Sequence, residues 1–152
     1  MELLADCPQH IPAVGDLRWR EWGRAPEPGQ LAWWVEVTRQ EAGRDELPVT
    51  FVALDHLGAV VSAVGLGEFD PAERRDRSPW VLGMIVRAGQ RGLGAGRLLM
   101  TSLCSWATEH GYPRLWVATD GQAAGFYRRC GFQHAETFHR AGELVTVLMK
   151  RL

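Results

Sequence analysis

The chain predicts an α/β fold of the α+β kind. It would hold one mixed, mostly antiparallel sheet of about six to seven strands, flanked by helices, in a single domain over residues 1–152. Three observations carry this prediction. VTFVAL (49–54) and AVVSAVGLG (59–67) are β-branched, apolar runs separated by the turn DHLG, which is a hairpin pattern. WVLGMIV (80–86) leads through a glycine-rich junction into a helical stretch and then to RLWVAT (114–119). A strand, a helix and a strand in that order make a parallel crossover. Residues 132–138 and 144–149 then read as a closing antiparallel pair around 140–143.

Taken in order, the first third is helical. Residues 8–23 carry Ile11, Val14, Leu17 and Trp22 as a loose apolar stripe, and Pro26 and Pro28 mark a break. Leu31, Trp34, Val35, Thr38 and Ala42 fall on one helix face, with Gly43 as a stop. The hairpin follows, then a charged, proline-flanked surface loop over 69–79. The strand 80–86 is almost wholly apolar, which predicts burial on both faces, and Gly83 inside it marks a bulge or a close backbone approach. The helix after the glycines runs to His110 on Leu99, Leu103 and Trp106 and stops at Gly111. A short helix, 122–129, ends at Gly131 before the final pair.

Composition narrows the function classes. Seventeen Lys plus Arg against eighteen Asp plus Glu leave a formal net charge of -1. A protein built to track nucleic-acid backbone wants a net basic surface, so no nucleic-acid partner is expected. Cys7, Cys104 and Cys130 are odd in number and widely spaced, which is neither a disulfide framework nor a metal-ligand pair. No basic start followed by an apolar run marks a signal peptide, and no apolar segment approaches the roughly 18 residues of a membrane span. A cytoplasmic protein with reduced cysteines, no bound metal and no membrane attachment is the expectation.

The most informative stretch is RGLGAG: Arg91, Gly92, Leu93, Gly94, Ala95 and Gly96, followed by Arg97. Glycines let the backbone turn sharply, and a helix N-terminus offers unpaired N–H donors and a partial positive charge. Together they suit phosphate or pyrophosphate, with Arg91 and Arg97 available for charge-assisted contacts. A P-loop would need Gly-Lys-Ser/Thr where this chain has Gly96-Arg97-Leu98. A dinucleotide loop would need G-x-G-x-x-G, and the spacing here is G-x-G-x-G, although Asp120 stands near the place of its ribose-binding acid.

Read as Arg-x-x-Gly-x-Gly, the loop resembles the acyl-CoA pyrophosphate motif of the GNAT N-acetyltransferase superfamily, in its bacterial form. WVLGMIVRAGQRGLGAGRLL resembles that family's central strand, loop and helix, and ATDGQAAGFYRRCGF its second signature. VTVLMKRL resembles its last strand, so the resemblance covers residues from about 49 to the end. It implies acetyl-CoA as co-substrate and a splayed central parallel pair, with the pantetheine arm along the backbone of Met84, Ile85 and Val86. Gly83 would lie near the bulge that aims an N–H at the thioester carbonyl. Tyr127 matches the tyrosine placed near the CoA sulfur, where a neutral phenol can protonate the leaving thiolate. A tyrosine buried only for packing is the competing reading. Phe126 would pack against the cofactor arm or the core. Asp120 stands where the family often has Asn and, when ionised, accepts but does not donate, with Gln122 as a replacement contact.

Glu68 is the candidate general base, because acidic or histidine residues follow the second hairpin strand in many relatives. Ordinary solvated loop acids are the plainer alternative, and His134 or His139 could serve instead. Glu21, Trp22 and Asp70 are acceptor-site candidates. The acceptor would be a small-molecule or peptide amine, and a homodimer is implied by analogy alone. Cys130, before Gly131 and without a predicted base, is not expected to carry an acyl group. The function read from these residues is direct transfer of an acetyl group from acetyl-CoA to a primary amine. The rival is a non-catalytic acyl-CoA-binding or sensing module, which would share the glycine loop but not need Tyr127 or a base.

Overall fold

A computed structural model describes residues 1–152. Its strands are β1 (Glu2–Leu3), β2 (Val49–Leu54), β3 (Val60–Gly67), β4 (Trp80–Val86), β5 (Arg114–Thr119), β6 (Gln133–Arg140) and β7 (Glu143–Arg151). The helices are α1 (Ile11–Trp22), α2 (Leu31–Gln40), α3 (Ala95–Glu109) and α4 (Ala124–Arg129). The strands form one seven-stranded mixed sheet in the order β1-β2-β3-β4-β5-β7-β6, flanked by helices. Its parallel pair, β4 with β5, aligns Trp80 with Trp116. No helix is long and apolar enough to cross a membrane.

The limits of β2, β4 and β5 coincide with the apolar runs in the sequence. β1 is an addition: two residues pair antiparallel with β2, setting Leu3 against Phe51. Two other expectations are corrected. Leu31, assigned to the buried stripe of α2, is exposed, whereas Trp34 and Thr38 are buried. β4, expected to be buried on both faces, leaves Leu82, Gly83, Met84 and Val86 only half-buried.

The chain divides into two compact units. The first comprises Met1–Leu66 and Gly83–Leu103. Its core joins Leu4, Cys7, Ile11 and Val14 to Val52, Val60, Ala63 and Ile85, with Leu17, Trp22 and Val35 packed on the margin. Each fully buried aliphatic side chain of this kind contributes about 1.5–3 kcal/mol. Gly15 lets α1 and α2 close together: a Cβ there would lie 2.7 Å from the Val35 Cα. Burial of the Cys7 thiol, before any neighbouring charge, pushes its pKa up to about 11.

The second unit comprises Gly67–Leu82 and Cys104–Leu152. β5, β7 and β6 form an antiparallel ladder, with Trp116 opposite Met149 and a bulge between His134 and Glu136. Ion pairs pin the loop at 72–77 to β6. Arg74 donates through Nε and Nη2 to both carboxylate oxygens of Glu136, Arg77 adds a 2.6 Å contact, and Arg140 grips Glu73 at 2.9 and 2.7 Å. Arg74 also lies over the Phe138 ring.

Candidate functional site

The glycine loop grows out of the end of β4. A turn closes with Gln90 N–H donating to Arg87 O. Gly89, Gly92 and Gly94 then take φ of +85°, +78° and +88°. No heavy atom lies within 4 Å of a Cβ built on any of the three. Glycine is needed here for backbone conformation, not for space. The first helical bond of α3 runs from Leu98 N–H to Gly94 O at 3.1 Å. The N–H groups of Ala95, Gly96 and Arg97 therefore precede any acceptor within the helix, and Gly94 has no side chain to cap them. Arg91 to Gly94 and Arg97 are exposed, Ala95 is half-buried and Gly96 buried, and Leu93 stands 72% exposed at the tip. A phosphate group fits this set of donors: they converge at the positive end of a fifteen-residue helix.

Arg91 is built into the base of the loop. Its Nε donates to Val86 O at 3.1 Å, and its Nη2 lies 3.3 Å from the Glu21 carboxylate. Glu21 and Arg91 line a cavity of about 530 Å³ together with Asp16, Leu17, Arg20 and Ile85. The acceptor-site candidate Glu21 and the phosphate-loop candidate Arg91 are thus brought together, a link across seventy residues that sequence spacing could not reveal. Trp22 is half-buried and stacks on Trp34 with ring centroids 6.3 Å apart.

In the same unit β4 carries Met84 and Val86 half-buried and Ile85 buried. Gly83 bends the strand with φ of +53°. Beside it lies a residue that the sequence reading did not single out. Arg18 of α1 is only 3% exposed, and a Cβ on Gly83 would come within 3.0 Å of its Nη2. A signal was present: Arg18 continues the stripe Ile11, Val14 at a spacing of seven from the first, on the face that enters the core.

In the second unit, α4 places Tyr127. The helix ends in a Schellman motif: Phe132 N–H donates to Tyr127 O and Gly131 N–H to Arg128 O, both at 3.0 Å, with Gly131 at φ +95°. The Tyr127 ring is 6% exposed and packs edge-on against Phe126 and Phe132 at 5.1 and 5.6 Å. Burial first, then the negative charges of Cys130 and Asp70, hold its phenol well above the usual tyrosine range. The group is therefore a neutral O–H donor at any physiological pH. Asp70 lies within electrostatic reach of it, and both Asp70 and Glu68 are exposed. Asp120 accepts the Gln122 N–H at 3.0 Å, an Asx turn that occupies one carboxylate oxygen, and both side chains are exposed. His134 bonds Thr137 at 2.8 Å, and His139 is exposed on β6.

Comparison with known proteins bears on the family and the fold. The family model for the acetyltransferase (GNAT) family matches residues 11–132. No curated protein matches the chain by sequence. Among solved structures, an aminoglycoside 6'-N-acetyltransferase complexed with coenzyme A superposes with a TM-score of 0.76 at 12% identity, covering 95% of this chain and 91% of that one. A ribosomal-protein-alanine N-acetyltransferase from Brucella melitensis gives 0.69 at 22% identity, covering 95% of both chains. A GCN5-related N-acetyltransferase from Kribbella flavida gives 0.70 at 20% identity, covering 95% and 93%. At these identities the likenesses establish the fold.

Proposed function

The chain belongs to the acetyltransferase (GNAT) family, and from that premise we propose that it moves an acetyl group from acetyl-CoA to a primary amine by direct attack in a ternary complex. The observation that carries this reading is the set of N–H groups at Ala95, Gly96 and Arg97 that precede the first helical bond of α3, following the left-handed glycines Gly92 and Gly94. It is a preformed seat for the CoA pyrophosphate, assembled without cost in side-chain entropy.

The chemistry follows from the groups on each element. Backbone groups of Met84, Ile85 and Val86 pair with the pantetheine arm, which extends the thioester along β4. The acceptor ammonium first loses a proton to a carboxylate of the segment after β3. Glu68 is the candidate carried from the sequence, and Asp70 is the acid whose charge reaches Tyr127. The amine nitrogen then bonds to the thioester carbon, and the carbonyl π electrons move onto oxygen. As the carbonyl reforms the C–S bond breaks, the Tyr127 phenol protonates the departing thiolate, and the proton that the new amide nitrogen sheds restores the phenol. Burial keeps the phenol protonated up to this step.

The test is a panel of small-molecule and peptide amines with acetyl-CoA, reading free thiol release and acetylated product by mass. At least one amine is expected to give both signals in equal amounts. Tight binding of acetyl-CoA with no product from any amine would convert the reading to a sensing module.

A further inference from the structure

Arg18 is a buried cation that folding leaves half satisfied. Its Nη1 donates to Thr38 Oγ1 at 3.2 Å and to Glu41 Oε1 at 3.1 Å. Its Nε and Nη2 are buried without a partner. In a planar guanidinium these two nitrogens share one edge, the edge that elsewhere grips a carboxylate with two parallel hydrogen bonds. The face of the guanidinium on that side packs over Gly83. A Cβ on Gly83 would lie 3.0 Å from Nη2, 3.1 Å from Nε and 3.2 Å from Cζ. Glu41 sits at the opposite side, so the pair forms a dipole whose positive end points at the bend in β4.

Such an arrangement is poor for stability. A buried charge with unmade hydrogen bonds is costly, and an apolar side chain of similar volume in its place would strand only Glu41, whose side chain is 20% exposed and reaches water. Local rules broken in this way cluster where function needs them. We infer that Arg18 is a positioning residue for acyl transfer: it holds the bend at Gly83 and sets a fixed positive potential behind it, against which the thioester carbonyl is polarised.

The inference rests on reading β4 as the thioester strand. No atom is transferred to or from Arg18. When the amine bonds to the carbonyl carbon, the π electrons collect on oxygen, and a preoriented charge in dry surroundings favours that oxyanion more than the neutral ground state. The effect belongs to the transition state, so turnover should respond and binding should not.

The experiment is infrared difference spectroscopy of acetyl-CoA, carbon-13 labelled at the acetyl carbonyl, bound to the wild-type protein and to Arg18→Met, Arg18→Lys and Glu41→Gln. The carbonyl stretch should lie lower in wild type than in Arg18→Met, with Arg18→Lys between them. Glu41→Gln removes the opposing charge, keeps Arg18 and should lower the stretch further. Arg18→Met should keep its affinity for acetyl-CoA and its melting temperature while kcat falls by roughly tenfold or more. Equal stretches in wild type, Arg18→Met and Glu41→Gln, all with acetyl-CoA bound, would overturn the inference alone. Parallel loss of melting temperature and activity in Arg18→Met, with the stretch unmoved, would reduce Arg18 to a structural brace. Failure of wild type to bind acetyl-CoA would overturn the proposed function and this inference together.

Discussion

The guanidinium of Arg18 fills the space that a side chain on Gly83 would need, with the nearest nitrogen 3.0 Å from where a Cβ would stand. Gly83 also takes φ of +53°, a conformation that side chains disfavour. Two constraints therefore meet at one residue of β4. Gly83→Ala should destabilise the protein by about 1–3 kcal/mol, from backbone strain and from displacement of the arginine. Chemical denaturation measures this. A loss no larger than that of Gly58→Ala would show that the arginine moves aside freely. Gly58 also has positive φ, +80°, but no atom near its Cβ position.

The loop glycines separate conformation from binding. Gly92→Ala and Gly94→Ala should each cost roughly 1 kcal/mol of stability, as Gly58→Ala should, because all three carry positive φ with open space around them. Only the two loop variants should weaken CoA. Titration calorimetry should show at least tenfold weaker CoA binding for the pair combined and unchanged binding for Gly58→Ala. Equal affinity in all of them would remove the loop from the CoA site.

Ion pairs predict an acid limb to stability. The Arg140 guanidinium, hydrogen-bonded to Glu73, holds that carboxyl at about 2, below its ordinary 4.5. Arg74 and then Arg77 hold Glu136 below the usual carboxylate range. A depressed folded-state pKa gives stability that is present above pH 4.5 and lost as pH falls toward 2. Denaturation midpoints should fall over that window, and less steeply in Glu73→Gln with Glu136→Gln. Both acids are near the surface, so added salt should shrink the difference. An identical slope in wild type and the double variant would remove these pairs from the acid limb.

Tyr127 predicts an alkaline counterpart of opposite sign. Burial raises its phenol above the ordinary value of 10, so above pH 10 the folded state keeps a proton that the unfolded chain releases. Stability should therefore fall as pH rises past 10, and Tyr127→Phe should flatten that fall. If the phenylalanine variant kept the wild-type slope, the tyrosine would not be the group responsible.

Strands with strong local signals were legible. β2, β4 and β5 are runs rich in apolar and β-branched residues, which favour strand, and the glycines at 92 and 94 announced a turn into a helix. β1 was not legible, because two residues carry no periodicity and depend wholly on pairing with Phe51 and Val52. In the site, the glycine loop stood out by its place between strand and helix, and Tyr127 was singled out only through the family resemblance. Arg18 could not be recognised, since an arginine in a helix ordinarily reads as solvent-facing, and only its place on the Ile11–Val14 stripe said otherwise. The Glu21–Arg91 link escaped for a different reason: it joins helix and loop residues seventy positions apart through tertiary packing alone.

The most direct test of acetyl transfer is the rate of CoA thiol release by wild type and Tyr127→Phe with an amine the wild type accepts, alongside CoA affinity for both. The account predicts that the variant binds CoA within about twofold of wild type and turns over roughly a hundredfold more slowly. Equal thiol release by the two proteins would contradict it.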